Sequence, residues 1–256
     1  MLSEDHGAIR HVVLNRPEKR NAFHAELVLA TGAALQAAAD DPDVRCVVLR
    51  GAGPLFSSGM DLGALSELAD RPQHLRAFRR HALEAWNLVE EMPKPVICAI
   101  QGACIGGALE LALACDFRVL ADDAVVGLPE TRIGLIPDVG GASRLPQVVG
   151  LGRAKELIMT GKLIGAEEAE RIGLATRVAP AEALDAAVQQ LADELLACAP
   201  LAVGLAKRVM DASARPALTA TLELELASQE RCVASADFAE GATAFREKRP
   251  PQFSGR

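Results

Sequence analysis

A chain of 256 residues can bury one large core, or a core with an appendage. Half of it is hydrophobic, and its formal charge of −7 argues against bulk attraction to nucleic acid or an anionic membrane. Tyr is absent and aromatic residues make up 3%, which leaves little for stacking on bases.

The opening residues, Met1-Leu2-Ser3-Glu4-Asp5-His6, are acidic and lack a signal-peptide profile. Ile9 to Leu14 reads as a short strand, closed by Asn15-Arg16-Pro17. Lys19, Arg20 and Asn21 follow, and a helix is expected from about Ala22 to Ala39, with Leu27, Ala34, Leu35 and Ala38 on one face. Asp40-Asp41-Pro42 stops it. Val44 to Leu49 is the next strand, and Gly51-Ala52-Gly53-Pro54 turns the chain. Asp61 is placed to cap a helix that starts beside it. Another helix is expected over Pro72 to Glu91, burying Leu75, Phe78, Ala82, Trp86 and Val89.

Pro95 to Ile100 reads as a buried strand, followed by a turn at Gly102 and Gly106-Gly107 and an apolar helix towards Asp116. Phe117 to Ala121 and Ala124 to Leu128 read as strands. From Gly150 onward helices are expected at 152–160, 166–172, 181–197, 201–214, 218–234 and 238–247, with one strand at Leu174 to Val178. Alternating strands and helices followed by helices alone indicate an α/β core, residues 1–197, with a helical region at 198–256. No internal sequence repeat is evident. No apolar run reaches membrane-spanning length. Cys46, Cys98, Cys104, Cys115, Cys198 and Cys232 form no C-x-x-C pair, and no His-x-x-x-His occurs, so no metal site is expected. They read as small core residues of a reducing compartment, the cytoplasm.

The chemistry concentrates around Glu110, a carboxylate inside the apolar helix. Burying it is costly unless it is paired or reactive. Glu130 follows in Leu128-Pro129-Glu130, and Asp138 in Pro137-Asp138-Val139-Gly140-Gly141. Carboxylates on apolar, glycine-rich supports suit acid–base chemistry on an uncharged carbon framework. The blander alternatives are a helix-start Glu, a loop carboxylate in solvent, and an ordinary turn residue at Asp138. A dinucleotide site fails because Cys104 holds the middle position of G-x-G-x-x-G. A serine hydrolase fails because Ser57-Ser58-Gly59 is not G-x-S-x-G.

Four stretches carry a resemblance: Leu14 to Ala22, Phe56 to Leu62, Lys94 to Asp116, and Pro129 to Leu145. The ending, Phe245 to Phe253, adds to it. In these the chain resembles the crotonase family, the enoyl-CoA hydratase/isomerase superfamily. The resemblance implies an α/β spiral of ββα units that binds an acyl-CoA thioester, with a C-terminal helical region that builds homotrimers or dimers of trimers. It implies no cofactor beyond the coenzyme A of the substrate. It places the backbone N–H groups of Met60 and Gly107 at the thioester oxygen, where losing one donor costs roughly 3–4 kcal/mol. It puts Glu110 and Glu130 at the family's two hydratase positions, and Asp138 where isomerase relatives carry an acid. It implies coenzyme A contacts at Arg16, Lys19, Ala22, Ser58, Asp61, Leu62 and Lys248. A solvated surface is the plainer account of the basic clusters at Arg16-Lys19-Arg20 and Lys248-Arg249. The expected activity is hydration of a trans-2-enoyl-CoA. The alternatives are enoyl-CoA or dienoyl-CoA isomerisation and a non-catalytic acyl-CoA-binding role.

Overall fold

The computed structural model describes residues 1–214 and 218–253, with the side chains of 62, 68–70, 72, 218–221 and 224 outside that description. The centre of its large sheet grows from apolar, buried runs. Strands β1 (Leu2–His6), β2 (Ile9–Leu14), β3 (Cys46–Gly51), β4 (Val96–Ile100), β6 (Phe117–Ala121) and β9 (Arg177–Ala179) lie in the order β1-β2-β3-β4-β6-β9. All neighbours are parallel except β1 and β2. A small sheet holds β5 (Ala103–Ile105), β7 (Val125–Gly127) and β8 (Leu163–Gly165).

The chain visits the two sheets in turn. It passes from β4 to β5 and into α4 (Gly107–Ala114), then from β6 to β7 and, through a 3-10 turn at Glu130–Ile133, into α5 (Gly141–Val149). An earlier pass runs from β3 past Ser57, which bridges to Cys104 of β5, into α2 (Leu62–Asp70). The two later passes are strand–strand–helix units and the earlier one has a single bridging residue in place of its second strand, so the repeat is present in space without a sequence counterpart. Helices α1 (Ala25–Asp40) and α3 (Leu75–Glu91) pack together, and Leu35, Ala82, Trp86 and Val89 fill the core between them and the sheet. Helix α4 buries Ala108 to Ala114 without a polar face, which only an internal helix tolerates.

Further on come α6 (Leu151–Thr160), α7 (Ala166–Arg171), α8 (Leu184–Leu196), α9 (Pro200–Ala214), α10 (Leu218–Val233) and α11 (Ala236–Glu247). Helix α8 covers the other face of the large sheet through Leu184, Val188 and Leu191. Helix α11 rests on the 130–133 turn. A Cβ on Gly241 would stand 2.7 Å from the Ile133 carbonyl oxygen, so a side chain there would lift the helix away.

Several sequence expectations need correction. Strand β8 lies in the half expected to hold a single strand, and the strand expected at Leu174 to Val178 forms over Arg177–Ala179. The helix expected from Pro72 starts as α-helix only at Leu75, because 72–74 form a separate 3-10 turn. Helix α5 carries Gly141 and Pro146, both poor helix formers, and is held by its packing instead. Strand β1 exposes every side chain, so hydrophobic periodicity could not reveal it; the backbone pairing to β2 makes it. No helix among the described residues is long and apolar enough to cross a membrane.

Candidate active site

A cavity of about 900 Å³ opens where the ends of β2, the β5–α4 turn and the C-terminal helices meet. Its apolar wall includes Phe23, Val28, Phe78, Ala82 and Trp86, with the Phe23 and Trp86 rings 5.4 Å apart.

Two backbone amides face this space, and local sequence explains both. Asn21 is fully buried in a left-handed conformation. Its side-chain amide donates to the carbonyls of Ala52, Leu55 and Phe56, tying the loop after β3 to the turn after β2. The Ser57 hydroxyl donates to the Asn21 carbonyl and accepts from the Gly59 amide. Gly59 has φ +88, and a Cβ there would strike the Ile105 carbonyl at 2.4 Å and lie 3.6 Å from the Gly107 nitrogen. Only glycine permits that approach. It brings the Met60 amide and the Gly107 amide, at the start of α4, into one corner. Neither amide has an acceptor among the described residues. An amide pair of this kind matches an oxygen that gains negative charge.

Three carboxyl groups line the same cavity: Glu110, Glu130 and Asp138. Glu110 is 2% exposed, and its Oε1 accepts from the amides of Val139 and Gly141, each at 2.8 Å. A Cβ on Gly141 would stand 2.8 Å from that oxygen and 2.6 Å from Pro137 Cβ, so a side chain there would displace its neighbours. The other oxygen, Oε2, lies 3.9 Å from where a Cβ on Gly107 would be. Glu130 reaches the neighbouring glycine: its Oε1 would be 2.8 Å from a Cβ on Gly106, and its Oε2 is buried without a hydrogen bond. The two glutamates therefore converge on consecutive glycines beside the amide pair. Asp138 Oδ1 accepts from Gln229 at 3.2 Å, and its Oδ2 lies 3.6 Å from Arg79 Nε.

Burial pushes all three carboxyls up. Glu130 rises to about 8, opposed by its own backbone amide and helped by Asp138. Asp138 rises to about 7 through burial, which Arg79 opposes and Glu225 reinforces. Glu110 is raised by burial first, then by the charges of Glu130, Asp138 and Glu225, against the Gly141 amide. Carboxyls so close together cannot all ionise, so the site keeps protons at neutral pH.

The residues expected to meet coenzyme A divide into groups. Lys19, Ala22, Ser58 and Asp61 line the cavity. Arg16 does not; its guanidinium is spent on Asp61 at 2.7 Å and on the Ala22 carbonyl at 3.1 Å. Asp61 also caps α2 through the Gly63 amide, as its position suggested. Lys248 caps α11 in a left-handed conformation and stays outside the cavity wall, whereas its neighbour Arg249 reaches it while paired with Glu240. The side chain of Leu62 lies outside the described residues. Sequence reading passed over Arg79, Glu225 and Gln229, which meet the site from α3 and α10. A charged residue on a buried helical stripe was the available signal for Arg79. Among the described residues no group of three His, Cys, Asp or Glu side chains is arranged to hold a metal ion.

The chain resembles known proteins over nearly its whole length. The sequence profile described as enoyl-CoA hydratase/isomerase matches residues 4–256. An enoyl-CoA isomerase/hydratase (fer4) of Mycosarcoma maydis is 39% identical, over 97% of this chain and 93% of its own length. The crotonyl-CoA hydratase of Syntrophomonas wolfei is 37% identical, over 94% and 92%. The crystal structure of an enoyl-CoA hydratase from Mycobacterium avium subsp. paratuberculosis superposes with a TM-score of 0.89 at 30% identity, covering 98% of this chain and 97% of that one.

Proposed function

The chain belongs to the enoyl-CoA hydratase/isomerase family, and from that premise we propose that it adds water across the double bond of a trans-2-enoyl-CoA thioester. The observation that carries the reading is the convergence of Glu110 and Glu130 on the Gly106-Gly107 turn, next to two unpaired amides. The amides of Met60 and Gly107 hold the thioester oxygen as it becomes an enolate oxygen. Glu110 is assigned as the base, because the Val139 and Gly141 amides donating to its Oε1 favour its anion against the burial that raises it. Glu130, with burial holding it protonated up to about pH 8, is the acid.

The steps balance. A water O–H bond breaks towards Glu110 while its oxygen bonds to the β-carbon, and the π electrons move to the thioester oxygen. The enolate then takes a proton from Glu130 at the α-carbon. A proton passing from Glu110 back to Glu130 resets the pair. The apolar wall at Phe23, Phe78 and Trp86 suits the acyl chain, and Lys19, Arg20 and Arg249 at the cavity wall suit coenzyme A phosphates. A spectrophotometric hydration assay on short, medium and long trans-2-enoyl-CoA esters tests the reading, and no turnover on any of them sinks it.

One observation favours a second activity. Asp138 lines the cavity with Oδ2 lacking a hydrogen bond, and it is raised to about 7. With Glu130 it forms a pair able to remove a proton at one carbon and return it at another, which moves a double bond without water. The name of the Mycosarcoma relative joins both activities.

We further propose that α9 is an assembly face. Leu201, Leu205, Val209 and Met210 are exposed, and the first three recur at helical spacing. A trimer or dimer of trimers would cover them, which light scattering reads directly. The buried free thiols Cys46, Cys98, Cys104 and Cys115 suit a reducing compartment such as the cytoplasm.

A further inference from the structure

The strip from Asp138 to Gly141 is held from two sides. On one side the amides of Val139 and Gly141 donate to Glu110 Oε1. On the other, the Gly140 amide between them donates to Glu225 Oε2 at 2.9 Å, and the Asp138 carbonyl accepts from Arg79 Nε at 2.8 Å. Glu225 is 3% exposed and comes from α10, 85 residues along the chain from the amide it binds. Arg79 Nη2 stands 4.0 Å from Glu225 Oε2, and the same nitrogen donates to the Leu222 carbonyl. Arg79 thus joins α3, α10 and the strip into one buried network.

A backbone strip cannot orient its amides alone here. Gly140 takes φ +100, one of the many conformations open to glycine, and no side chain of its own fixes it. An acceptor behind the Gly140 amide removes that freedom. We infer that Glu225 is a positioning residue for Glu110: by holding the Gly140 amide from the far side, it turns the Val139 and Gly141 amides towards the carboxylate that takes the proton from water. The C-terminal helix α10 is then part of the machinery rather than a packing element alone. This rests on the hydration reading for its effect on rate. Its effect on the strip does not depend on that reading.

The experiment has a kinetic and a structural arm, both on the full chain. Glu225→Ala should lower kcat about 10–100-fold with KM for the enoyl-CoA changed less than about threefold, because the reacting group is misplaced while the cavity wall is intact. Glu225→Met, of similar volume and without the acceptor, replaces it should the alanine variant not fold. Glu225→Gln keeps an acceptor for the Gly140 amide and should recover most of the lost kcat. In a Glu110→Gln background, Glu225→Ala should cost no more than about twofold further, since both act through one group. Amide hydrogen exchange should quicken at 139–141 in Glu225→Ala and return towards the parent rate in Glu225→Gln. A parent-like kcat for Glu225→Ala alongside a damaged Glu110→Gln overturns the inference. So does an equal loss from Glu225→Ala with and without Glu110, or unchanged exchange at 139–141. A harmless Glu110→Gln on every substrate instead overturns the hydration reading, and the exchange arm still decides the role of Glu225 on the strip.

Discussion

Strands β3 and β4 bury every residue from Cys46 to Leu49 and from Val96 to Ile100, and all of these are apolar. The C-terminal helices turn charge and amide inward instead: Lys207 on α9 is 6% exposed, and Glu225 and Gln229 on α10 are 3% and 4%. Apolar burial is non-directional, so the strands are held by area and shape. A buried polar contact has one geometry and a penalty for missing it. Lys207 Nζ reaches the Val89 and Lys94 carbonyls and Asp116 Oδ2, between 2.7 and 3.1 Å. Gln229 reaches Asp138 and the Ile136 amide, and Glu225 the Gly140 amide. The difference teaches that the sheet makes the fold, while the C-terminal helices set the position of groups inside it.

The contrast can be tested most severely at the carboxylates. Glu110→Gln and Glu130→Gln keep shape and remove acid–base capacity, so each should lower hydration turnover roughly 10²–10⁴-fold. Asp138→Asn should leave hydration within an order of magnitude. On double-bond migration the order of Glu110 and Asp138 should reverse, with Glu130 needed for both. Steady-state rates of the three variants on enoyl-CoA and dienoyl-CoA substrates read this out.

Stability separates the two kinds of burial. Lys207→Met leaves the Asp116 carboxylate buried without its cation and should cost about 3–5 kcal/mol in urea unfolding. Adding Asp116→Asn should recover most of that. Leu49→Ala in β3 should cost about 2–5 kcal/mol, and no second substitution of a polar partner should repair it.

A smaller effect is expected at Gly141. The Cβ of Gly141→Ala would stand 2.8 Å from Glu110 Oε1, so the carboxylate must shift. A loss of roughly 10–100-fold in kcat with folding intact would show that the strip sets the glutamate. Circular dichroism beside the rate measurement checks it.

The mildest signature is in pH. Glu130 is raised by burial to about 8 and Asp138 to about 7, both above their unfolded values. Their protonated forms stabilise the fold fully below the unfolded carboxyl range. That contribution is lost as pH rises from the unfolded carboxyl range to the folded values of about 7 and about 8. Melting temperature should therefore fall across that window, and Asp138→Asn and Glu130→Gln should flatten the fall. Hydration should also decline above about pH 8, as Glu130 gives up the proton it donates.

The sequence by itself determined the apolar strands β2, β3, β4 and β6, the buried stripe of α3 and the glycine turn that precedes Glu110. These are local properties: hydrophobic period, chain-stopping residues and backbone freedom at glycine act over a few positions. It also marked Glu110, Glu130 and Asp138, because a carboxylate among apolar neighbours stands out in any window. Only the tertiary structure decided that Glu110 takes its donors from Val139 and Gly141, 29 and 31 residues on, and that Asp138 meets Gln229, 91 residues on. It alone supplied the exposed strand β1 and the withdrawal of Arg16 to Asp61, while the strand–strand–helix repeat reached the sequence only through family resemblance. The physical reason is that such contacts join residues whose separation in the chain carries no periodic trace. On α10, Glu225 and Gln229 carry no local mark in the sequence, and their burial follows from what the folded chain lays against them.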